Sequence, residues 1–161
     1  MKAMTPPDTD KLYAYAAGLC ARREYCRTEI LRKLLERGLP RDEADVLLDR
    51  LEEKHFIDEA RYATAFVHDK TLYDRWGRIK TRQALAMKHI SQDSVDRAME
   101  QIDEAEYRET LRELLLAKGR SVTAQTPYER RQKLVRYAAG RGFEPDIVFS
   151  MLSEMGEDEE E

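Results

Sequence analysis

Between Arg75 and Gln92 the chain carries five Lys or Arg (Arg75, Arg78, Lys80, Arg82, Lys88), one His and no Asp or Glu. Such side chains do two kinds of work. Each can displace condensed counterions from a phosphate backbone, and an arginine fork can bond a carboxylate on a protein surface at two points. On an ideal helix Arg75, Arg78, Arg82 and His89 fall within about 60° of arc. Tyr73 and Trp76 flank the run and suit stacking on bases or anchoring an interface. Two plainer readings compete: the run is a solvated helix face, and Trp76 packs in a core beside Ile79.

The tract has counterparts. Residues 22–37 hold six basic and three acidic groups, whereas 41–54 hold six acidic and three basic. Residues 93–109 hold seven acidic and two basic, and 118–141 then hold seven basic against Glu129 alone. The net charge of −4 therefore hides a segregation along the chain. The last five residues, from Glu157, are all acidic, and removing those charges leaves +1 for the body. Residues 156–161 read as a solvated, disordered tail, or more pointedly as one that competes for the basic surface. The basic candidates outside the central tract are Arg27, Lys33, Arg130, Lys133 and Arg136.

Other chemistries find little support. Cys20 and Cys26 form no Cys-x-x-Cys, and His55, His68 and His89 form no close ligand pair, so no metal site is predicted. Two buried thiols in a reducing compartment are expected. There is no Gly-rich phosphate loop and no ordering of a nucleophile with its base, so neither a cofactor nor catalysis is expected. The start, MKAMTPPDTDK, has no apolar signal region. No apolar run approaches the ~20 residues of a membrane span, and the expected location is the cytoplasm.

The elements that carry these residues read as helices throughout. Leu, Ala, Glu, Arg and Lys dominate, seven Gly and five Pro give little turn punctuation, and no strand alternation is visible. A short arm over 1–9, with Pro6-Pro7, precedes helices at about 10–22, 26–37, 41–54, 58–72, 77–88, 92–103, 104–118, 127–140 and 145–155. Glu29 stands three residues after Cys26, where a capping box has Ser or Thr, so that helix start is expected to fray. Gly119 is read as the end of the seventh helix. The following segment, 119–126, is then the longest loop and a flexible joint. Thr126-Pro127-Tyr128-Glu129 is a full capping box with Pro at the first helical position.

Three helix stops align: Arg37-Gly38-Leu39, Lys88-His89-Ile90 and Arg141-Gly142-Phe143, spaced by 51 and 53 residues. A second echo pairs Asp58-Glu59-Ala60-Arg61-Tyr62 with Asp103-Glu104-Ala105-Glu106-Tyr107. The chain thus divides into three tandem three-helix units, 10–56, 57–102 and 103–155, each with a basic middle helix. Repeats of this period predict an elongated, curved all-α array in which each unit contacts its neighbours. If the units stack in register, the basic helices line one side.

The stretch IDEARYATAFV, the basic turn at Trp76-Gly77 and then Arg82-Gln83-Ala84-Leu85 resemble the central signature of the RecX family, regulators of the bacterial RecA recombinase. The opening CARREYCRTEILRKLLERG and the ending KLVRYAAGRGFEPDIVFSML resemble that family's first and last units, so the likeness spans about 10–155. It implies a curved array of helix-turn-helix-like units that binds RecA and its filament on single-stranded DNA, inhibiting strand exchange and ATP hydrolysis in recombination, DNA repair and the SOS response. It also implies some direct binding to DNA. The basic positions matching the family's are Arg27, Lys33, Lys80, Arg82 and Lys133. Three residues depart from its pattern: Cys26 for a hydroxyl cap, Thr81 for a larger aliphatic residue and His89 for Gly. Two readings from other classes stand beside it. One is a helix-turn-helix transcription regulator, weakened because Gln83 and Gln132 are the only adenine-reading amides on the basic helices. The other is a helical scaffold that binds proteins alone.

Overall fold

The computed structural model describes residues 6–157. The expectations for arm residues 1–5 and tail residues 158–161 lie outside that range. Among the described residues the chain forms nine helices and no strand: α1 (Thr9–Arg22), α2 (Arg27–Glu36), α3 (Arg41–Glu53), α4 (Glu59–Leu72), α5 (Arg78–Met87), α6 (Gln92–Glu100), α7 (Glu104–Ser121), α8 (Pro127–Gly140) and α9 (Pro145–Glu154). The main packing runs within α1–α3, within α4–α6 and within α7–α9. Each trio closes over its own buried cluster. Ile30, Leu34, Leu48 and Leu51 centre the first, Ala63, Leu85 and Ala98 the second, and Leu111, Leu115, Leu134 and Leu152 the third. No cluster spans the chain, so the molecule is an elongated array of three units. Two residues link the cores. Cys26, from the first unit's sequence, is buried in the second cluster, and Ile102 packs against both the second and the third.

The aligned helix stops share one geometry. Gly38, His89 and Gly142 have φ of 88°, 60° and 94°. In each unit the next residue donates its N–H back five positions: Leu39 to Leu34, Ile90 to Leu85 and Phe143 to Ala138. That is the Schellman exit, and Leu39, Ile90 and Phe143 are each buried by it. His89 is the departure in the set. A β-carbon in the left-handed region costs about 1–2 kcal/mol, partly offset by the stiffer unfolded chain. His89→Gly is therefore expected to stabilise the protein by about 0.5–1 kcal/mol, read as a higher urea midpoint.

Four local expectations change. α2 does not fray at Cys26: the Glu29 carboxylate accepts the Cys26 N–H at 3.0 Å, and the thiol side chain is buried under the next unit. Cys20, also expected to be buried, is only partly buried, with burial the main cause pushing its thiol up. α7 does not stop at Gly119 but runs to Ser121, leaving a loop of 122–126. Gly119 is instead a seat. A β-carbon there would meet the Arg130 guanidinium at 2.7 Å, and Arg130 donates to the Gly119 carbonyl at 2.9 Å. Finally, α1 begins at Thr9, capped by Asp8, so the arm ends earlier than the sequence suggests.

The units join by the start of one middle helix meeting the exit turn of the next unit's. At the first joint the Thr28 hydroxyl donates to the Lys88 carbonyl at 3.2 Å and Lys88 pairs with Glu29 at 3.3 Å. Arg61 pairs with Glu24 at 2.5 Å. At the second joint the backbones touch: Gly77 donates to the Arg141 carbonyl at 2.8 Å and Ile79 to the Gly142 carbonyl at 3.0 Å. The Tyr107 hydroxyl accepts the Arg78 N–H at 2.9 Å and donates to Glu144. Tyr62 and Tyr107, which end the echoed pentads, play matching parts. Burial and the neighbouring Cys26 and Glu29 raise the Tyr62 phenol, while burial and Glu144 raise that of Tyr107.

Candidate nucleic-acid interface

The predicted cations divide by what holds them. Arg27, the first residue of α2, reaches three carboxylates of α3: Asp49 at 2.8 Å, Glu52 at 3.0 Å and Asp45 at 3.5 Å. Arg78, the first residue of α5, lies over the Tyr107 ring at 3.9 Å, pairs with Glu144 at 2.9 Å and also pairs with Glu104. Burial opposes its charge, but Glu144 and Glu104 outweigh that and make the guanidinium harder to deprotonate. Counting back from the left-handed exit residue, Arg27 and Arg78 occupy the same repeat position, and the third unit's occupant is Arg131. That residue is buried, bonds the Glu157 carbonyl and lies 5.7 Å from the Phe149 ring. One arginine per unit is thus matched within the chain.

Other candidates are also matched. Arg82 pairs with Asp96 at 2.7 Å, Lys88 with Glu29, and Arg130 with Glu157 at 3.0 Å. Glu157 is therefore docked on α8 rather than part of a solvated tail. Arg75 sits in the turn before α5 with φ of 56° and pairs with Glu113 at 3.4 Å. It does not continue a helical stripe with Arg78 and Arg82, because α5 begins only at Arg78.

Three candidates make no ion pair among the described residues: Lys33, Lys80 and Arg136. Lys33 lies 6.0 Å from the ring of Tyr25, which is itself buried. Lys80 stands 4.5 Å from the Trp76 ring, and Lys70 approaches the same ring at 4.6 Å. Trp76 is thus a partly exposed ring flanked by two ammonium groups, with Tyr73 76% exposed beside it. It is not a core residue packed on Ile79, which is itself 39% exposed.

In the third unit a cavity of about 470 Å³ lies between α7 and α8, and its cations are Lys118, Lys133 and Arg136. The other lining residues are Ser121, Val122, Thr123 and Tyr137, so no carboxylate faces it. Lys133 is held by Glu129 at 3.2 Å and the Thr123 carbonyl at 2.5 Å, and Lys118 lies 5.3 Å from the Tyr137 ring. Lys118, counted in the basic run 118–141, was not among the candidates because it belongs to the first helix of its unit, not the basic middle one. Its spacing from Arg136 gives no sign that they meet.

Two carboxylates respond to acid: Glu29 at the first joint, and Glu59, which ties α4 to the start of α6 within the second unit. Burial pushes Glu29 up, but the Cys26 N–H and the Lys88 ammonium outweigh it and hold the carboxyl below its usual range. Burial also raises Glu59, yet the Ser91 N–H and the Ser91 and Ser94 hydroxyls, at 2.8, 2.8 and 2.9 Å, hold it below. Both folded values lie under the unfolded one. Their stabilisation is full above about pH 4.3 and fades as pH falls through the folded values. Urea midpoints measured from about pH 6 down to pH 3 should fall, and Glu59→Gln should flatten that slope.

Among the described residues no helix is long and apolar enough to cross a membrane, and no cluster of His, Cys, Asp and Glu is arranged to hold a metal. The fold and its surface define a protein of serial three-helix units with cations set beside aromatic rings. Models of the first, second and third three-helix domains of RecX match residues 13–51, 58–99 and 104–152. The chain belongs to the RecX family. A regulatory protein RecX from Pseudomonas putida is 32% identical over 138 residues, covering 86% of each chain. Another, from Pseudomonas entomophila, is 31% identical, covering 86% of this chain and 87% of that one. A crystal structure of a regulatory protein RecX superposes with TM-score 0.82 at 23% identity, covering 96% of this chain and 82% of the other. The crystal structure of RecX from Lactobacillus salivarius gives 0.78 at 19%, covering 92% and 96%. Both structures share the fold.

Proposed function

We propose that this protein is a non-enzymatic regulator that binds the RecA recombinase and its filament on single-stranded DNA, and that it inhibits strand exchange and ATP hydrolysis. Family membership over all three units supports a regulatory role through a protein partner. The observation that carries the nucleic-acid part is the distribution of cations lacking a carboxylate partner. Among them, Lys33 belongs to the first unit, Lys80 to the second, and Lys118 with Arg136 to the third. A series of weak contacts on a rigid array adds up, because each later contact is made at high effective concentration. A filament groove presents phosphate at regular intervals, which such an array can follow. Inhibition then arises from blocking the second DNA strand or the subunit movements coupled to ATP turnover. The matched arginines hold the array in the shape that sets those intervals.

The decisive experiment uses RecA filaments preformed on single-stranded DNA. ATP hydrolysis and strand exchange are followed as this protein is added, and both are expected to fall at stoichiometric amounts. Unchanged rates would overturn the proposal. Tight binding to one duplex sequence in the absence of RecA would instead favour a transcription regulator.

A further inference from the structure

A groove of about 660 Å³ lies between the second and third units, and no residue of α5 or α8 lines it. One wall is α4, from Asp58 at its cap to Leu72 at its end. The other is the corner from Ala98 to Asp103 with the first turns of α7. Small side chains line the groove, among them the exposed Ala60, the half-buried Thr64 and Ala65 and the buried Ala98, so the surface is recessed where bulky residues would fill it. Leu72, 48% exposed, adds an apolar lip. The α4 wall is the length of a helix of about four turns, roughly 21 Å.

The charge around this recess opposes that of the cationic surface. Asp58, Asp69, Asp103 and Glu106 line it, against Arg61 and His68. Asp58 and Asp103 are spent on their own helix starts, accepting the N–H groups of Arg61 and Glu106. Arg61 is spent on Glu24. The charge left is that of Asp69, 64% exposed, and Glu106, whose carboxylate has no partner among the described residues. His68 lies 3.6 Å from Asp69.

We propose that this groove docks an amphipathic helix of a protein partner, one with large apolar side chains on a single face and Lys or Arg beside them. Recessed apolar floors take helices by anchors spaced three or four residues apart. The acidic rim selects a basic helix over an acidic one. The protein would then hold nucleic acid on its cationic side and a protein segment in the groove.

The test uses the full chain and two fluorescent synthetic helices of about four turns. They share the same leucine face and carry either lysines or glutamates beside it. Fluorescence anisotropy should show the lysine peptide binding at least tenfold tighter. Thr64→Trp, which fills the floor, should weaken that binding at least tenfold. Asp69→Asn together with Glu106→Gln should remove the preference between the peptides. Ala60→Trp, at an exposed position, repeats the floor test should Thr64→Trp fail to fold. Binding to a single-stranded oligonucleotide should stay unchanged in every variant. Equal affinity of both peptides for the wild-type chain, or unaltered binding by a folded floor variant, would overturn the proposal. So would sedimentation showing that the groove instead joins two copies of the chain.

Discussion

Gly77→Ala is expected to destabilise the protein by about 3–5 kcal/mol and to separate the unfolding of the third unit from that of the second. A β-carbon at Gly77 would drive into the Gly142 carbonyl and the Phe143 nitrogen. All the opposing atoms are backbone, so no side chain can rotate away. Relief requires the joint to open, which breaks the Gly77–Arg141 and Ile79–Gly142 hydrogen bonds. Each is worth about 1 kcal/mol, and overpacking a tight contact adds about 1–3. Arg141, which also donates to the Asp74 and Arg75 carbonyls, would lose its seat. Gly142→Ala should act similarly from the other side, since its β-carbon would lie 2.7 Å from the Lys80 nitrogen and its φ is +94°. Gly18→Ala is the control. It sits inside α1 with nothing within 4 Å and should gain about 0.5–1 kcal/mol. Urea unfolding followed by hydrogen exchange checks this: protection in α8 and α9 should fall ahead of that in α2 and α3. A single transition at the wild-type midpoint would show that the joint tolerates the methyl group.

The fold was legible in the sequence because its determinants are local. The exits at Gly38, His89 and Gly142 are written in a few adjacent residues, and the echoed pentads place Tyr62 and Tyr107. Even His89, which breaks the glycine pattern, takes up the same left-handed exit. Gly119 misled because a glycine that ends a helix and one that makes room for a distant side chain look alike until Arg130 is seen against it. The interface was less legible for a related reason. Whether a cation is free depends on carboxylates far along the chain. Those of Arg78 are 26 and 66 residues away, and those of Arg27 are 18 to 25 away. The basic tract drew attention to α5 but did not separate the arginine that builds the joint from the lysine two residues later. The repeat held one clue: Arg27, Arg78 and Arg131 are equidistant from their exit residues, and a position filled alike in every unit suits a structural duty.

That division predicts opposite outcomes for neighbouring residues. Arg78→Ala leaves Glu104 and Glu144 without their cation in a half-buried joint, at an expected cost of about 2–3 kcal/mol, with little direct change in how the protein meets phosphate. Replacing Lys80, Lys118 and Arg136 with Ala should leave the urea midpoint within about 0.5 kcal/mol of wild type. Their effect falls on binding. Each cation withdrawn from a single-stranded phosphate backbone reduces the slope of log affinity against log salt by about 0.7, so the triple variant should show a slope shallower by about 2. Trp76→Ala should cost about 1–3 kcal/mol in single-strand affinity, roughly 5- to 150-fold, if a base stacks on the ring between Lys70 and Lys80. Trp76→Phe should restore part of it. Salt titrations of oligonucleotide binding, run beside filament ATPase inhibition, separate the cases. A triple variant with an unchanged slope would remove these cations from the interface. A folded Arg78→Ala chain with a reduced slope would return that arginine to it. Should Arg78→Ala lower inhibition at an unchanged slope, the joint's geometry, not its charge, would be what the filament reads.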